Sequence, residues 1–173
     1  MTLEIRDAVE ADLPAIVEIY NSTVPTRMVT ADTDPVSVES RRSWFREHEP
    51  RSYPIWIAEE SGEIAGWLSF EPFRKRPAYQ STAEVSVYVA ENHRRKGIGR
   101  KLLAQAIRRA PALGLKTLTG GIFGHNTPSI KLFEGFGFER WAFYPRVAEL
   151  DGIERDLIVL GLRLDSTQPT VSR

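Results

Sequence analysis

The chain has 173 residues and no cysteine, and its 23 Lys+Arg balance 23 Asp+Glu, so the formal net charge is zero. At about 150 residues per domain this length makes one domain, able to bury roughly 70% of its unfolded surface without covalent staples. The absence of cysteine excludes a disulfide scaffold, a zinc finger, an iron–sulfur site and a thiol nucleophile, and the even charge speaks against wholesale binding to nucleic acid or an anionic membrane.

Residues 3 to 8 read as a first strand. Leu13, Ile16, Val17 and Tyr20 fall at helical spacing over 10–20, with Asp12 ahead of Leu13 and Pro14 in the first turn. Residues 21–35, rich in Thr, Asp and Pro, read as a loop, and 36–48 as a second helix with Val38, Trp44 and Phe45 on one side. The period then shortens. Ile55–Ala58 and Ala65–Phe70 are strands joined by a hairpin at Glu60-Ser61-Gly62-Glu63. Residues 71–80 hold Pro72, Pro77 and Arg74-Lys75-Arg76, a loop. Thr82–Ala90 is the clearest strand: Ala83, Val85, Val87 and Val89 face one way, and Thr82, Glu84, Ser86 and Tyr88 the other. Gly97–Ala110 is the clearest helix, with an apolar stripe of Ile98, Leu102, Leu103, Ala106, Ile107 and Ala110. Gly114 stands where a left-handed terminating residue belongs. A strand over 117–122, a helix over 126–136 capped by Asn126, and two strands over 138–148 and 153–164 complete the chain. The order β-α-α-β-β-β-α-β-α-β-β makes one mixed α/β domain over 1–164, followed by a polar tail at 165–173. No apolar run approaches the roughly 20 residues that span a bilayer, and Met1–Arg6 has neither the basic start nor the apolar stretch of a signal peptide, so a cytoplasmic protein is expected.

The stretch from Val87 to Leu103 carries the most chemistry. A strand runs into a basic loop, then glycines, then a helix start. A helix N-terminus offers unpaired N–H groups and about half a positive charge. Gly97 and Gly99 let an anion approach the backbone, and Arg94, Arg95, Lys96 and Arg100 surround the turn. This is a phosphate cradle. It lacks the Gly-Lys-Ser/Thr end of a P-loop, and Leu102 stands where a dinucleotide fingerprint needs a third small residue. On these residues alone, a capped surface helix with a solvated basic start is an equal reading.

Arg94-x-x-Gly97-x-Gly99 resembles the pyrophosphate-binding signature of the GNAT superfamily of N-acetyltransferases. Asn126-x-x-Ser129-x-x-Leu132-x-x-x-x-Gly137-Phe138 resembles the same superfamily's later coenzyme A helix. The resemblance runs from Ile5 to Leu162 and is nearest to the phosphinothricin and methionine sulfoximine acetyltransferases, through Ile19-Tyr20-Asn21, Thr82 to Val89, and Asp156-Leu157. It implies a single-domain fold with a mixed, mostly antiparallel sheet, flanked by about four helices, whose fourth and fifth strands splay to admit acetyl-CoA. It implies that Val87, Tyr88 and Val89 lend backbone groups to the pantetheine arm. Arg94, Arg95, Lys96, Gly97, Ile98, Gly99 and Arg100 would hold the pyrophosphate, and Asn126 and Ser129 would line the arm. No metal is implied, and His48, His93 and His125 lack ligand spacing. A homodimer is implied by the resemblance alone.

Acetyl transfer needs a deprotonated amine. By resemblance Glu84 takes the position of the general base, with partial burial raising its pKa; the bland alternative is a half-exposed carboxylate paired with an arginine. Arg76 is the candidate for an acceptor carboxylate, with Tyr79 as a pocket wall and 21–33 (Asn21, Thr23, Arg27) as the other wall; a solvated basic loop is the competing reading. Phe133 stands where phosphinothricin acetyltransferases often have His, so a proton for the departing thiol would come from water or from a group such as Tyr144. The leading expectation is an acetyl-CoA-dependent N-acetyltransferase of a small amino acid or analogue. A transferase for a protein N-terminus or lysine is the enzyme alternative. An acetyl-CoA sensor lacking catalysis, which Glu84 disfavours, and a nucleic-acid-binding domain are the others.

Overall fold

The alternating patterns build seven strands in the computed structural model, which describes residues 3–164. These are β1 (Leu3–Asp7), β2 (Ile55–Glu60), β3 (Glu63–Pro72), β4 (Thr82–Val89), β5 (Thr117–Phe123), β6 (Glu139–Leu150) and β7 (Ile153–Arg163). Among the described residues the α-helices are α1 (Leu13–Thr23), α2 (Val38–Glu47), α3 (Ile98–Arg109) and α4 (Thr127–Glu134). The polar tail expected at 165–173 lies outside the described residues. None of these helices is long and apolar enough to cross a membrane.

The strands form one sheet in the order β1-β2-β3-β4-β5-β7-β6. Two hairpins set much of its register. Ser61-Gly62 and Asp151-Gly152 both take positive φ, the two-residue turn whose twist matches that of the strands it joins. Every neighbouring pair is antiparallel except β4 and β5, which run parallel and pair only from Thr82↔Thr117 to Glu84↔Thr119. Beyond Glu84 the two strands part. β4 stays paired with β3 through Val89↔Gly66, and β5 with β7 through Phe123↔Leu157. The edge of β4 that faces β5 is therefore open from Val85 to Val89.

A separate core covers each face of the sheet. Ile98, Leu102, Leu103 and Ala106 of α3 pack on Leu68, Phe70, Ala83 and Val85, the face to which the apolar side of β4 points. Leu13, Ile16 and Val17 of α1 pack on Ile55, Ile57 and Trp67 of the other face, joined by Trp44 and Phe45 of α2. Trp67 stacks on Tyr88 at 4.3 Å between ring centroids.

One local expectation needs correction. α1 runs on to Thr23 instead of ending at Tyr20, because the hydroxyls of Ser22 and Thr23 donate to the Ile19 and Tyr20 carbonyls within its last turn, at 2.6 and 2.7 Å. Asp12 precedes α1 without capping it. Its carboxylate instead accepts from Arg6, at 2.8 and 3.0 Å, and from the Val9 N–H at 2.8 Å, tying β1 to the start of α1.

Candidate active site

At the start of α3, Arg95 and Gly97 both take positive φ, at 63° and 78°. They turn the chain out of the 3-10 turn at Glu91–His93 and aim the helix start at the open edge of β4. The first helical hydrogen bond runs from the Lys101 N–H to the Gly97 carbonyl at 3.0 Å, leaving the N–H groups of Ile98, Gly99 and Arg100 free of helical partners. Arg94, Arg95, Lys96 and Arg100 are exposed around them. Gly99 lies on the inner side of the helix. A Cβ there would sit 3.5 Å from Leu132 Cδ2 and 3.6 Å from Val87 Cγ1 and Val89 Cγ2, so a methyl fits and a branched side chain does not.

A cleft of about 620 Å³ follows the parted strands. Its lining gathers the sequence candidates Val87, Tyr88, Val89, Arg94, Arg95, Gly97, Ile98, Gly99, Arg100, Asn126 and Ser129. Of the proposed cradle only Lys96 is outside the lining; its Nζ leans 4.0 Å from Glu60. The cleft also takes Met28 and Val29, which no motif marks. They come from the segment after α1, which is tied down from several sides. Asn126 Nδ2 donates to the Met28 carbonyl at 3.0 Å, and His125 Nε2 lies 2.7 Å from the Arg27 carbonyl. The Tyr20 hydroxyl bonds Thr30 and Asp32, and Arg41 pairs with Asp32 at 2.9 Å. Asn126 is also the cap of α4, its Oδ1 accepting from the Ser129 N–H at 3.3 Å. Its buried side chain thus already serves both the helix and the loop.

Glu84 stands where β4 and β5 part. A Cβ on Gly121 of β5 would lie 3.8 Å from its Oε2, so the small residue across the gap leaves the carboxylate room. Glu84 has no hydrogen bond or ion pair among the described residues. Burial, and then the Glu71 carboxylate, push its pKa up against the pull of Arg74. Glu71 is its direct cross-strand partner on β3.

The acceptor-side candidates fall differently. Arg76 lines a recess of about 510 Å³ with His48, Glu71, Arg74 and Lys75, which shares no lining residue with the long cleft. Tyr79 is exposed and packs edge-on to Phe73. Arg74, stacked 4.7 Å over the Phe73 ring, is the arginine whose charge reaches Glu84. Thr23 lines the cleft, but Asn21 clamps both backbone groups of Val36, and Arg27 is held by Asp151 at 2.9 Å and the Thr33 carbonyl at 2.7 Å. Phe133 is core, packed edge-on against Phe138 over Gly120, where a Cβ would strike its ring at 2.6 Å. Tyr144 lies on β6 at 45% exposure, outside the lining of the cleft.

Residues 13–138 match the model of the Acetyltransferase (GNAT) family. YwnH of Bacillus subtilis strain 168, nominally a phosphinothricin acetyltransferase, is 52% identical over 94% of this chain and 99% of its own length. The L-methionine sulfoximine/L-methionine sulfone acetyltransferase of Pseudomonas aeruginosa PAO1 is 37% identical over 97% of this chain and 98% of its own. A phosphinothricin acetyltransferase from Sinorhizobium meliloti, solved in complex with acetyl-CoA, superposes with a TM-score of 0.89 at 32% identity, covering 99% of this chain and 95% of that one.

Proposed function

The chain belongs to the GNAT acetyltransferase family, and we infer that it moves an acetyl group from acetyl-CoA to the amine of a small amino acid or amino-acid analogue, of the phosphinothricin and methionine sulfoximine kind. The observation that carries this reading is the open edge of β4, which leads from Glu84 to the free N–H groups of α3.

The residues present fit acetyl-CoA. Free N–H groups at Ile98, Gly99 and Arg100, with Arg94, Arg95, Lys96 and Arg100 about them, suit a pyrophosphate. The unpaired backbone from Val85 to Val89 suits an amide-bearing arm laid beside it like an added strand. Val87 and Val89 would form an apolar wall to that arm, and Ser129 and the remaining N–H of Asn126 its polar side. When bound, acetyl-CoA supplies an acyl thioester ready for attack by an amine. Glu84 removes a proton from the acceptor ammonium, directly or through a water, so that the nitrogen lone pair is free. A backbone N–H on the open edge of β4 would be available to stabilise charge on the acyl oxygen of bound acetyl-CoA. Phe133 has no proton to give the departing sulfur, so that proton would come from water or from a group such as Tyr144. Arg74 and Arg76 are the candidates for the acceptor carboxylate, and Arg74 is the nearer in effect to Glu84.

A thiol-release assay with acetyl-CoA tests the reading. Turnover is expected with methionine sulfoximine, methionine sulfone, phosphinothricin or free amino acids. Turnover confined to peptides or polyamines overturns the acceptor class.

A homodimer is part of the proposal. Trp141, Phe143, Tyr144, Val147 and Ile153 leave an apolar strip exposed along the β6–β7 edge, with Phe143 at 61%. Sedimentation should show a dimer that Phe143→Asp converts to a monomer. A cytoplasmic location goes with the proposed co-substrate and is checked by cell fractionation.

A further inference from the structure

Glu71 and Glu84 face each other across β3 and β4. Two like charges directly opposite on one face of a sheet repel, and both of these side chains are half-buried. Neutralisation reaches only one of them. Trp44 Nε1 donates to Glu71 Oε1 at 2.8 Å, and His48 Nε2 lies 3.0 Å from the same oxygen. The other ring nitrogen of His48, Nδ1, lies 2.7 Å from the Trp44 carbonyl, which can only accept, so Nδ1 carries a proton. The Nε2 side lies beside a carboxylate oxygen at ion-pair distance, a contact that favours the doubly protonated ring. His48 is held in place by its burial, at 6% exposure, and by edge-on packing against Trp44 at 4.8 Å.

We propose that Glu71 and His48 are a positioning ion pair that tunes Glu84 as a base. The inference rests on Glu84 being the base. His48 offsets part of the Glu71 charge, so Glu84 faces a partly compensated neighbour. Its own carboxylate stays free and unbonded, able to take a proton from the acceptor. The directions agree. Burial alone would lower the His48 pKa, but Glu71 and the carbonyls of Trp44 and Phe70 outweigh it and hold His48 up. Burial alone would raise Glu71, but His48, Trp44 and Lys75 outweigh it and hold Glu71 down. Two neighbouring carboxylates are thereby pushed apart, one kept as a fixed charge and one left to titrate.

Other charges surround the trio. Arg74 faces Glu84 and Lys75 faces Glu71 from the β3–β4 connection. Arg76 and Glu47 line the outer recess, Glu47 lying 3.8 Å from Lys75. Arg41 of α2 shares a smaller cavity of about 180 Å³ with Glu71, Ser69, Ser86, Tyr20 and Tyr88, and is paired with Asp32. The Glu71–His48 pair differs from these in that its two members act on Glu84 with opposite sign.

That opposition is the test. The acid limb of kcat/KM is measured for the wild-type protein and for Glu84→Gln, Glu71→Gln and His48→Gln. In Glu71→Gln, which keeps size and an acceptor for Trp44, the limb should move to lower pH by roughly one unit. In His48→Gln the bared Glu71 charge should move it to higher pH. Loss of packing alone would lower rates without moving the limb in opposite directions. The Glu84 carboxyl carbon, followed by 13C NMR without substrates, should shift the same way in Glu71→Gln, and this readout stands if His48→Gln does not fold. If Glu84→Gln keeps the wild-type limb, the base assignment fails and the proposal with it. If Glu84→Gln abolishes the limb while Glu71→Gln leaves the limb and the carbon titration unmoved, the pair alone is overturned.

Discussion

The proposed cradle at the head of α3 comes from one unbroken stretch of chain, Val87 to Leu103. The proposed acceptor side is assembled from Glu84 on β4, Glu71 on β3, Trp44 and His48 at the end of α2, and Arg74 beyond β3. Phosphate recognition by free N–H groups is a property of local backbone geometry, so its residues must be adjacent. Recognition of a small acceptor and tuning of a base depend on side chains converging in space, so their residues need not be neighbours in sequence. The two regions should therefore respond separately to substitution, with Glu84 at the boundary between them.

The largest effect is expected at that boundary. Glu84→Gln keeps size but cannot take a proton, and turnover should fall by about 10²–10⁴. Calorimetry should find acetyl-CoA affinity unchanged, since Glu84 lies outside the cradle. The raised pKa fixes the pH sense: below it Glu84 is protonated and idle, so the acid limb of the wild-type profile should lie above the ordinary carboxylate range. The same shift bears on stability. A group whose folded pKa is raised contributes stability at low pH that is lost as pH rises through that value. At pH 7 Glu84→Gln should thus melt no lower than the wild type; a clear drop in Tm would make Glu84 a structural carboxylate.

Gly99→Val sharpens the cofactor side. The added methyls must displace Leu132, Val87 or Val89, all already at contact distance. Overpacking of this kind costs about 1–3 kcal/mol, and the strain falls at the edge where acetyl-CoA would lie. Acetyl-CoA affinity should drop by roughly tenfold to a hundredfold, with the acceptor KM little changed. Equal affinity in a folded variant would break the assignment of the cradle.

Contiguity also governs what could be read before the fold was seen. The β4 face carrying Glu84, the α3 stripe, the Asn126 cap and the hairpin at Ser61-Gly62 depend on spacing within about twenty residues, and all stand in the structure. The parting of β4 and β5 followed from family resemblance, not from any local pattern. The loop at 21–33 is expected as a pocket wall through Asn21, Thr23 and Arg27, but Met28 and Val29 carry no motif and line the cleft in a loop that His125, Asn126 and Arg41 hold down. Glu71 and His48 were illegible for the same reason. Their meeting requires the β3–β4 register and the placement of α2, neither of which a motif encodes.

Arg74 and Arg76 test the acceptor side, where the sequence favoured Arg76 and the electrostatics favour Arg74. A charge-assisted bond to the acceptor carboxylate is worth roughly 1.5–3 kcal/mol, a tenfold to hundredfold rise in acceptor KM when it is lost. The rise should be larger in Arg74→Ala than in Arg76→Ala, with acetyl-CoA affinity spared in both. Preference for an acid over its amide should collapse only in the variant that lost the binding group. If neither variant changes that preference, the carboxylate is held elsewhere.

The smallest expected effect is at Asn126, and it decides to which region that residue belongs. Its Oδ1 caps α4 and its Nδ2 reaches the Met28 carbonyl, so both ends of the side chain are already engaged within the protein. Loss of an N-cap costs about 1 kcal/mol, and freeing Met28 would loosen one wall of the cleft. Asn126→Asp separates the two functions. It keeps an oxygen to accept from the Ser129 N–H but cannot donate to Met28 or to a pantetheine arm, and it places a carboxylate beside the Met28 carbonyl. Asn126→Ala removes all of these contacts. If the cap dominates, Asn126→Asp should retain most of the Tm that Asn126→Ala loses, and acetyl-CoA affinity should change by no more than a few-fold in either. If the amide also grips the cofactor, both variants should lose affinity equally while only Asn126→Ala loses stability. Equal loss of stability in both would leave the tether to Met28, not the cap, as the contact that matters.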